Sequence, residues 1–331
     1  MTKMEECNPK DILSGSDSEY YWESYAHPGI HDEMLKDRHR TLSYKRALCP
    51  SVVKDKVILD VGCGTGILSL FAAKNGAKHV YSVEMSAVNK IAEEVIKLNG
   101  FSDKITLFKG KMEEIELPEK VDIIVSEWMG YNLMYESMLA SVLYARDKYL
   151  KPDGLMLPDT ASMYIAGIND EELIGEKERF WSNVYGFDMS CVLDEVTVDP
   201  LVDYCDSRYL CSECVKIATF DIKNMSVDDL DFTVPFKFVV NDNVELSGVV
   251  LYFDCTFNGK SVLTTKPDTN THWKQTCLYL NDPLSDACKG DVIEGVYHCM
   301  PSKRHPRHLD IDLKMNCERL QWEINQEYHM D

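Results

Sequence analysis

Between residues 57 and 150 the chain alternates short apolar runs with stretches of helical spacing. VILDVG (57–62), HVYSVE (79–84), ITLFKG (105–110) and VDIIVSE (121–127) have the length and apolar content of buried strands. GILSLFAAKNGA (66–77), the stretch from Ala87 to Leu98 and YESMLASVLYARDKYL (135–150) have helical spacing. Asn75-Gly76, Asn99-Gly100 and Lys151-Pro152 supply stop signals. In the second helix Val88, Ile91, Ala92, Val95 and Ile96 are expected to face inward. Strand–helix alternation with short connections predicts an α/β domain with a doubly wound, mostly parallel sheet.

After about residue 158 the period changes. ASMYIAGI, EVTVDPLVD, CVKIATFDI, FTVPFKFVV, ELSGVVLYFDCTF, QTCLYL, DVIEGVYHCM and LDIDLKMNC alternate apolar and polar positions, with Gly, Asn, Asp and Pro between them. This predicts an antiparallel β domain over 158–331, sandwich or barrel. Residues 171–187 interrupt it with helical spacing and aromatic side chains. Upstream, residues 1–18 are polar and read as a mobile tail. The first domain then spans 19–157 and opens with helices over 19–48, where Met34, Leu35, Leu42 and Leu48 recur at roughly helical intervals.

The 331 residues carry 55 acids against 35 bases, a formal charge of −20, which disfavours a generic nucleic-acid binder and favours cationic partners. No apolar run approaches the roughly 20 residues of a membrane-spanning helix. The N-terminus lacks the pattern of a secretory signal, so the 12 cysteines are expected to be reduced thiols. Cys211 and Cys214 form the one CxxC, without a second ligand pair at zinc spacing.

DVGCGTG (60–66) follows a strand and opens a helix, the context a nucleotide loop requires. Gly62, Gly64 and Gly66 allow a sharp turn and close approach of a ligand. Glu84 ends the next strand, where an acid can accept from both ribose hydroxyls. For a dinucleotide the third glycine comes one residue early, and Asp60 sits poorly beside a pyrophosphate. S-adenosylmethionine fits better, because it has no phosphate and its ammonium group favours an acid. Glu113, after the third strand, is placed to accept from an adenine amine or to be a solvated acid.

SEWMGYNLMYE (126–136) carries Glu127 at the end of the fourth strand and Glu136 at the start of the predicted helix. Gly130 and Asn132 let the chain turn back, which brings both carboxylates to one mouth walled by Trp128, Tyr131 and Tyr135. A metal between them would sit beside a cationic cofactor. A guanidinium, planar and able to meet carboxylates bidentately, suits them better. Two acids on one side of it would localise its charge and leave the far nitrogen more nucleophilic. Glu136 could also serve merely as an acid in a first helical turn.

These segments, with THW at Thr271-His272-Trp273, resemble the protein arginine N-methyltransferases, and among them the type I enzymes that form asymmetric dimethylarginine. The likeness runs from about residue 20 to the C-terminus. It implies a Rossmann-like S-adenosylmethionine domain, a β-barrel domain, and a dimerisation arm over 171–205. It also implies a homodimer or higher oligomer that acts on histones and Arg/Gly-rich proteins in nucleus and cytoplasm, without membrane or direct nucleic-acid binding. By resemblance, Tyr21, Trp22 and Tyr25 line the cofactor and substrate pockets, and His31 and Arg40 meet the methionine part. Asp60, Gly62, Gly64, Glu84, Met112 and Glu113 bind the cofactor, and Glu127 and Glu136 bind the guanidinium. His272 pairs with Asp37 as a proton relay, and Met34 and Met138 shape the product. No zinc-finger or docking domain is expected before residue 19. HCMPSKRHPRHLD, with His298, His305 and His308, reads as an exposed basic loop rather than a metal site. A nicotinamide-dependent oxidoreductase leaves the paired glutamates without a role, and a silent scaffold has no need of them.

Overall fold

The computed structural model describes residues 16–197 and 199–331. The predicted tail lies outside the described residues up to residue 15, while Ser16 already opens a helix. Three helices lead in: α1 (Ser16–Ala26), α2 (Pro28–Lys36) and α3 (Arg38–Ala47), then a single turn, α4 (Pro50–Val53). The buried face of α3 is Arg40, Ser43, Tyr44 and Ala47. Of the leucines that recur at helical intervals, Leu48 is buried, Leu42 is exposed on the outer side of α3, and Leu35 is partly exposed at the edge of the cavity described below.

The parallel sheet holds β1 (Val57–Val61), β2 (His79–Glu84), β3 (Ile105–Lys109), β4 (Val121–Ser126) and β5 (Leu150–Leu157) in the order β3-β2-β1-β4-β5. α5 (Ile67–Lys74), α6 (Asn89–Leu98) and α7 (Leu139–Tyr149) fill the β1–β2, β2–β3 and β4–β5 connections. Strand order reverses at β1 and β4, so their carboxyl ends flank the crevice where ligands bind in such sheets. In α6, Ala92 and Ile96 are buried, whereas Ile91, expected inside, is exposed on the outer shoulder.

α7 starts at Leu139, four residues later than its spacing suggests. Glu136 (φ +74°) and Ser137 (φ +54°) are left-handed, which no α-helix accommodates. The first-turn role for Glu136 is therefore excluded.

The second domain comprises β6 (Thr160–Ile168), α8 (Glu171–Trp181), α9 (Leu193–Thr197), β7 (Leu201–Asp203), β8 (Val215–Asp221), β9 (Phe232–Val239), β10 (Leu246–Phe257), β11 (Ser261–Thr264), β12 (Gln275–Leu284), β13 (Val292–Pro301), β14 (Leu309–Cys317) and β15 (Trp322–Met330). One antiparallel sheet runs β7-β12-β10-β6-β8 with β11 on β10, and the other runs β15-β14-β13-β9. Gln326 and Tyr328 of β15 bond to Asn281 and Tyr279 of β12 and draw the two sheets together at one edge. A bridge between Ser212 and Val240 does so at the other, giving the barrel. EVTVDPLVD, read as a strand, is instead α9 followed by the three-residue β7. Hence the last residues of the predicted arm belong to the barrel edge, against β12. The arm carries Phe180, Tyr185 and Phe187 exposed, Tyr185 at 96%. Tyr44 joins the domains: it is fully buried, packs edge-on against Phe257 at 4.9 Å, and donates to the Ser126 carbonyl at 2.9 Å.

Candidate active site

One cavity at the carboxyl end of the parallel sheet gathers Tyr21, Trp22, Tyr25, His31, Met34, Arg40, Gly62, Gly64, Glu84, Met112, Glu113, Glu127, Glu136, Met138 and His272. Of the residues given site roles by the resemblance, Asp60 and Asp37 do not line it.

Its floor is the β1–α5 loop, with Gly62, Gly64 and Gly66 all at positive φ. At Gly62 the absence of a side chain also makes room: a Cβ there would lie 2.3 Å from Met138 Cε. Glu84 locks the loop, because its carboxylate accepts from Gly64 N at 2.9 Å and from Ser86 N at 2.8 Å. The acid thus sits on the wall with its orientation set by two backbone amides. Across the cavity, Glu113 Oε1 and Trp22 Nε1 are buried and find no partner among the described residues. An unmet acceptor on Glu113, a fixed carboxylate on Glu84 and a glycine floor without cationic side chains fit adenosine, with its amine and ribose diol, and do not fit a pyrophosphate.

Asp60 corrects one expectation. Its side chain turns away behind the loop, is fully buried, and accepts from Ser69 Oγ at 2.6 Å; its other oxygen has no partner among the described residues. Burial pushes this carboxyl up to about 7, against the opposing hydrogen bonds from Ser69. Because it does not line the cavity, it is expected to act on a ligand as a charge behind the loop. Below pH 7 the empty site holds this proton, whereas an ammonium-bearing ligand favours the carboxylate. S-adenosylhomocysteine is therefore expected to bind more weakly as pH falls below about 7 and to release a proton on binding at pH 6. Calorimetry at pH 6 in buffers of different ionisation enthalpy checks this. A buffer-independent heat, or an unchanged proton release in Asp60→Asn, would refute it.

Asp37 shows how local geometry builds a pair. It ends α2 and caps α3, its Oδ1 accepting from Arg40 N at 2.9 Å. That leaves Oδ2 for His272, which reaches it with both backbone N (3.0 Å) and Nδ1 (2.9 Å). Burial alone would raise Asp37, but the bonds from the His272 ring and from the amides of Arg40 and His272 outweigh it and hold the carboxyl below its usual range. The next residue, Trp273, donates Nε1 to the Met129 carbonyl at 2.7 Å and pins the THW loop to the two-glutamate loop.

In that loop Gly130 has a steric reason: a Cβ would stand 2.0 Å from the Tyr135 carbonyl oxygen. Asn132 and Leu133 are left-handed, and the chain doubles back. Trp128 and Tyr131 line the mouth, whereas Tyr135 stacks between Tyr131 and His308 outside it. Glu127 meets Arg40, whose Nε and Nη2 both donate to Oε2, at 2.9 and 2.8 Å. Arg40 is thereby held beside the cavity by a carboxylate of the chain itself. Glu136 Oε2 accepts from Tyr25 OH at 2.8 Å and Tyr21 OH at 3.1 Å. Burial raises its pKa; the two tyrosine bonds and Arg307 oppose this, and Glu127 adds to it. A buried acid beside a second acid calls for a cation. His31 Nε2 donates to the Tyr25 carbonyl, 2.8 Å away, and so supports the tyrosine helix.

The basic loop departs furthest from expectation. Lys303 and Arg304 are exposed, but Pro306, Arg307 and His308 are half-buried against the two-glutamate loop. Nothing in SKRHPRH signals this, because the contact is between residues more than 160 positions apart.

Comparison with known proteins gives the arrangement a context. Residues 159–319 match the family described as "Arginine methyltransferase oligomerization subdomain", and residues 42–156 match that of "Ribosomal protein L11 methyltransferase (PrmA)". The chain is 48% identical over 319 residues to protein arginine N-methyltransferase 1.1 of Arabidopsis thaliana, covering 94% of this chain and 82% of that protein. It is 46% identical to protein arginine N-methyltransferase 1 of Saccharomyces cerevisiae, covering 93% and 91%. Among solved structures, the Trypanosoma brucei PRMT1 enzyme-prozyme heterotetrameric complex with AdoHcy superposes with a TM-score of 0.89 at 44% identity, covering 93% of this chain and 100% of that one.

Proposed function

The chain belongs to the protein arginine N-methyltransferase family, and from that premise we propose roles for its residues, its product and its partners. It is an S-adenosylmethionine-dependent enzyme that methylates arginine in proteins. Bound in the cavity, S-adenosylmethionine supplies a sulfonium methyl group. Glu84 and Glu113 hold its ribose and adenine, Trp22 covers the adenine, and Arg40 and His31 stand by its methionine end.

Glu127 and Glu136 hold the substrate guanidinium. The observation that carries this is their convergence on one cavity, with Glu136 kept in a left-handed backbone that places its acid beside Tyr21 and Tyr25. Gripped on one edge by two anions, the guanidinium keeps its positive charge toward them, and its remaining nitrogen presents more electron density. Asp37 occupies His272 Nδ1, which leaves Nε2 as the nitrogen able to take the proton lost after transfer.

Met34 and Met138, unbranched and flexible, leave room for a second methyl on the same nitrogen, so the product is monomethylarginine and then asymmetric dimethylarginine. The formal charge of −20 suits histone tails and Arg/Gly-rich proteins, which we place with the enzyme in nucleus and cytoplasm. Mass spectrometry of an Arg/Gly-rich peptide incubated with S-adenosylmethionine tests the product. Asymmetric dimethylarginine is expected, and a symmetric product would overturn the assignment.

The barrel domain is of an oligomerising type, and the finer reading is a homodimer formed through the exposed aromatics of the arm. Sedimentation at micromolar concentration is expected to give a dimer, and Tyr185→Ser with Phe187→Ser is expected to give a monomer with reduced turnover. A fully active monomeric wild type would count against the dimer.

A further inference from the structure

Arg307 reaches the active site from the barrel side, in the connection between β13 and β14. Its guanidinium carbon stands 3.7 Å from the centre of the Tyr21 ring and 5.0 Å from that of Trp22, both on α1. Nη1 donates to the Glu136 carbonyl at 2.7 Å, and the Arg307 carbonyl accepts from Glu136 N, also at 2.7 Å. One residue earlier, the Pro306 carbonyl accepts from Ser137 Oγ at 2.5 Å.

Glu136 is thus held at its N–H and its C=O by a single residue. The restraint has physical work to do. Two successive non-glycine residues at positive φ, Glu136 and Ser137, are strained, and a chain left free would relax. Tyr21, against which Arg307 stacks, is one of the two donors to Glu136 Oε2. Arg307 therefore meets Glu136 twice, through the backbone directly and through Tyr21 to the carboxylate.

We propose that Arg307 is a positioning residue for methyl transfer, which couples the packing of α1 over the cavity to the aim of the Glu136 carboxylate. The proposal rests on the reading of Glu136 as a guanidinium holder. It also explains the residue type. A guanidinium offers a flat face for the two rings and an edge donor for the carbonyl at once, whereas a lysine offers charge without the plane. The ionisable groups facing Glu136 are Tyr21 and Tyr25 from α1, Glu127 at the end of β4, Tyr131 and Tyr135 of its own loop, and Arg307, with Arg40 one step removed on Glu127. Arg307 is the cation among the direct neighbours, and it favours the ionised form of Glu136.

The test compares Arg307→Ala, Arg307→Lys and Glu136→Gln in the full chain, with an Arg/Gly-rich peptide and S-adenosylmethionine. In Arg307→Ala, kcat is expected to fall at least about tenfold, a loss of aim of order 1.4 kcal/mol, with KM for the peptide changing less. The acidic limb of its kcat profile should move to higher pH, because Glu136 loses its favourable charge. In Arg307→Lys the limb should stay at the wild-type pH while kcat is only partly restored. A structural defect alone lowers kcat without this split between the two variants. If the alanine variant fails to fold, the lysine variant decides: wild-type kcat there overturns the requirement for a planar group. Wild-type kcat and an unmoved limb in folded Arg307→Ala overturn the whole proposal. Activity retained in Glu136→Gln would instead remove the reading of Glu136 on which it rests.

Discussion

Glu136→Gln is expected to slow methyl transfer about 100- to 1,000-fold while leaving S-adenosylhomocysteine affinity close to that of the wild type. The substitution keeps the shape of the side chain. The hydroxyls of Tyr21 and Tyr25 now donate to Oε2, and each can rotate to meet an amide instead. The left-handed backbone stays held by Arg307. Stability should not suffer, because the carboxylate is itself penalised by burial and by Glu127, and a neutral amide relieves both. What disappears is one of two negative charges on the substrate guanidinium, and with it the localisation of charge away from the reacting nitrogen. Single-turnover rates with a saturating peptide, beside calorimetric titration of S-adenosylhomocysteine, measure the two quantities separately. Transfer at the wild-type rate would sink the guanidinium clamp.

The second large effect falls on cofactor affinity. Glu84→Ala is expected to weaken S-adenosylhomocysteine binding by at least about 100-fold, since each hydrogen bond to a charged group contributes roughly 1.5–3 kcal/mol. Two losses add here. The ribose hydroxyls lose their acceptor, and the amides of Gly64 and Ser86 lose the carboxylate that orients the glycine loop. Glu84→Gln separates them in part. Its single oxygen can serve only one of the two amides well, while its NH2 faces the other as donor against donor. It should therefore bind between wild type and Glu84→Ala. Peptide KM at saturating cofactor should change little in either variant. An affinity near wild type in Glu84→Ala would show that this acid does not hold the cofactor.

The places where sequence reading and structure part company share a cause. Leu42 and Ile91 obey helical periodicity but lie exposed, because the buried face of α3 is taken by Arg40, Ser43, Tyr44 and Ala47 and that of α6 by Asn89, Ala92 and Ile96. Residues 135–138 have helical spacing, yet Glu136 and Ser137 are held in left-handed conformations by a loop from the other domain. Asp60 stands next to the glycine loop in sequence, but its side chain turns to Ser69 on α5. β15 escaped notice because Gln326 stands on its buried face, where it bonds across to β12.

Sequence alone determined the α/β order of β1 to β4, the glycine loop, and the two glutamates at the turn. These follow from interactions within some ten residues: alternation, capping, and glycines where a side chain will not fit. Tertiary structure alone decided the direction in which the acids point. Arg40 on Glu127, Tyr21 and Tyr25 on Glu136, His272 on Asp37 and Arg307 behind Glu136 are contacts over 87 to 235 positions. The reason is physical. A buried charge is placed by whichever partners can satisfy it, and those partners are brought near only once the helices, sheet and barrel have packed.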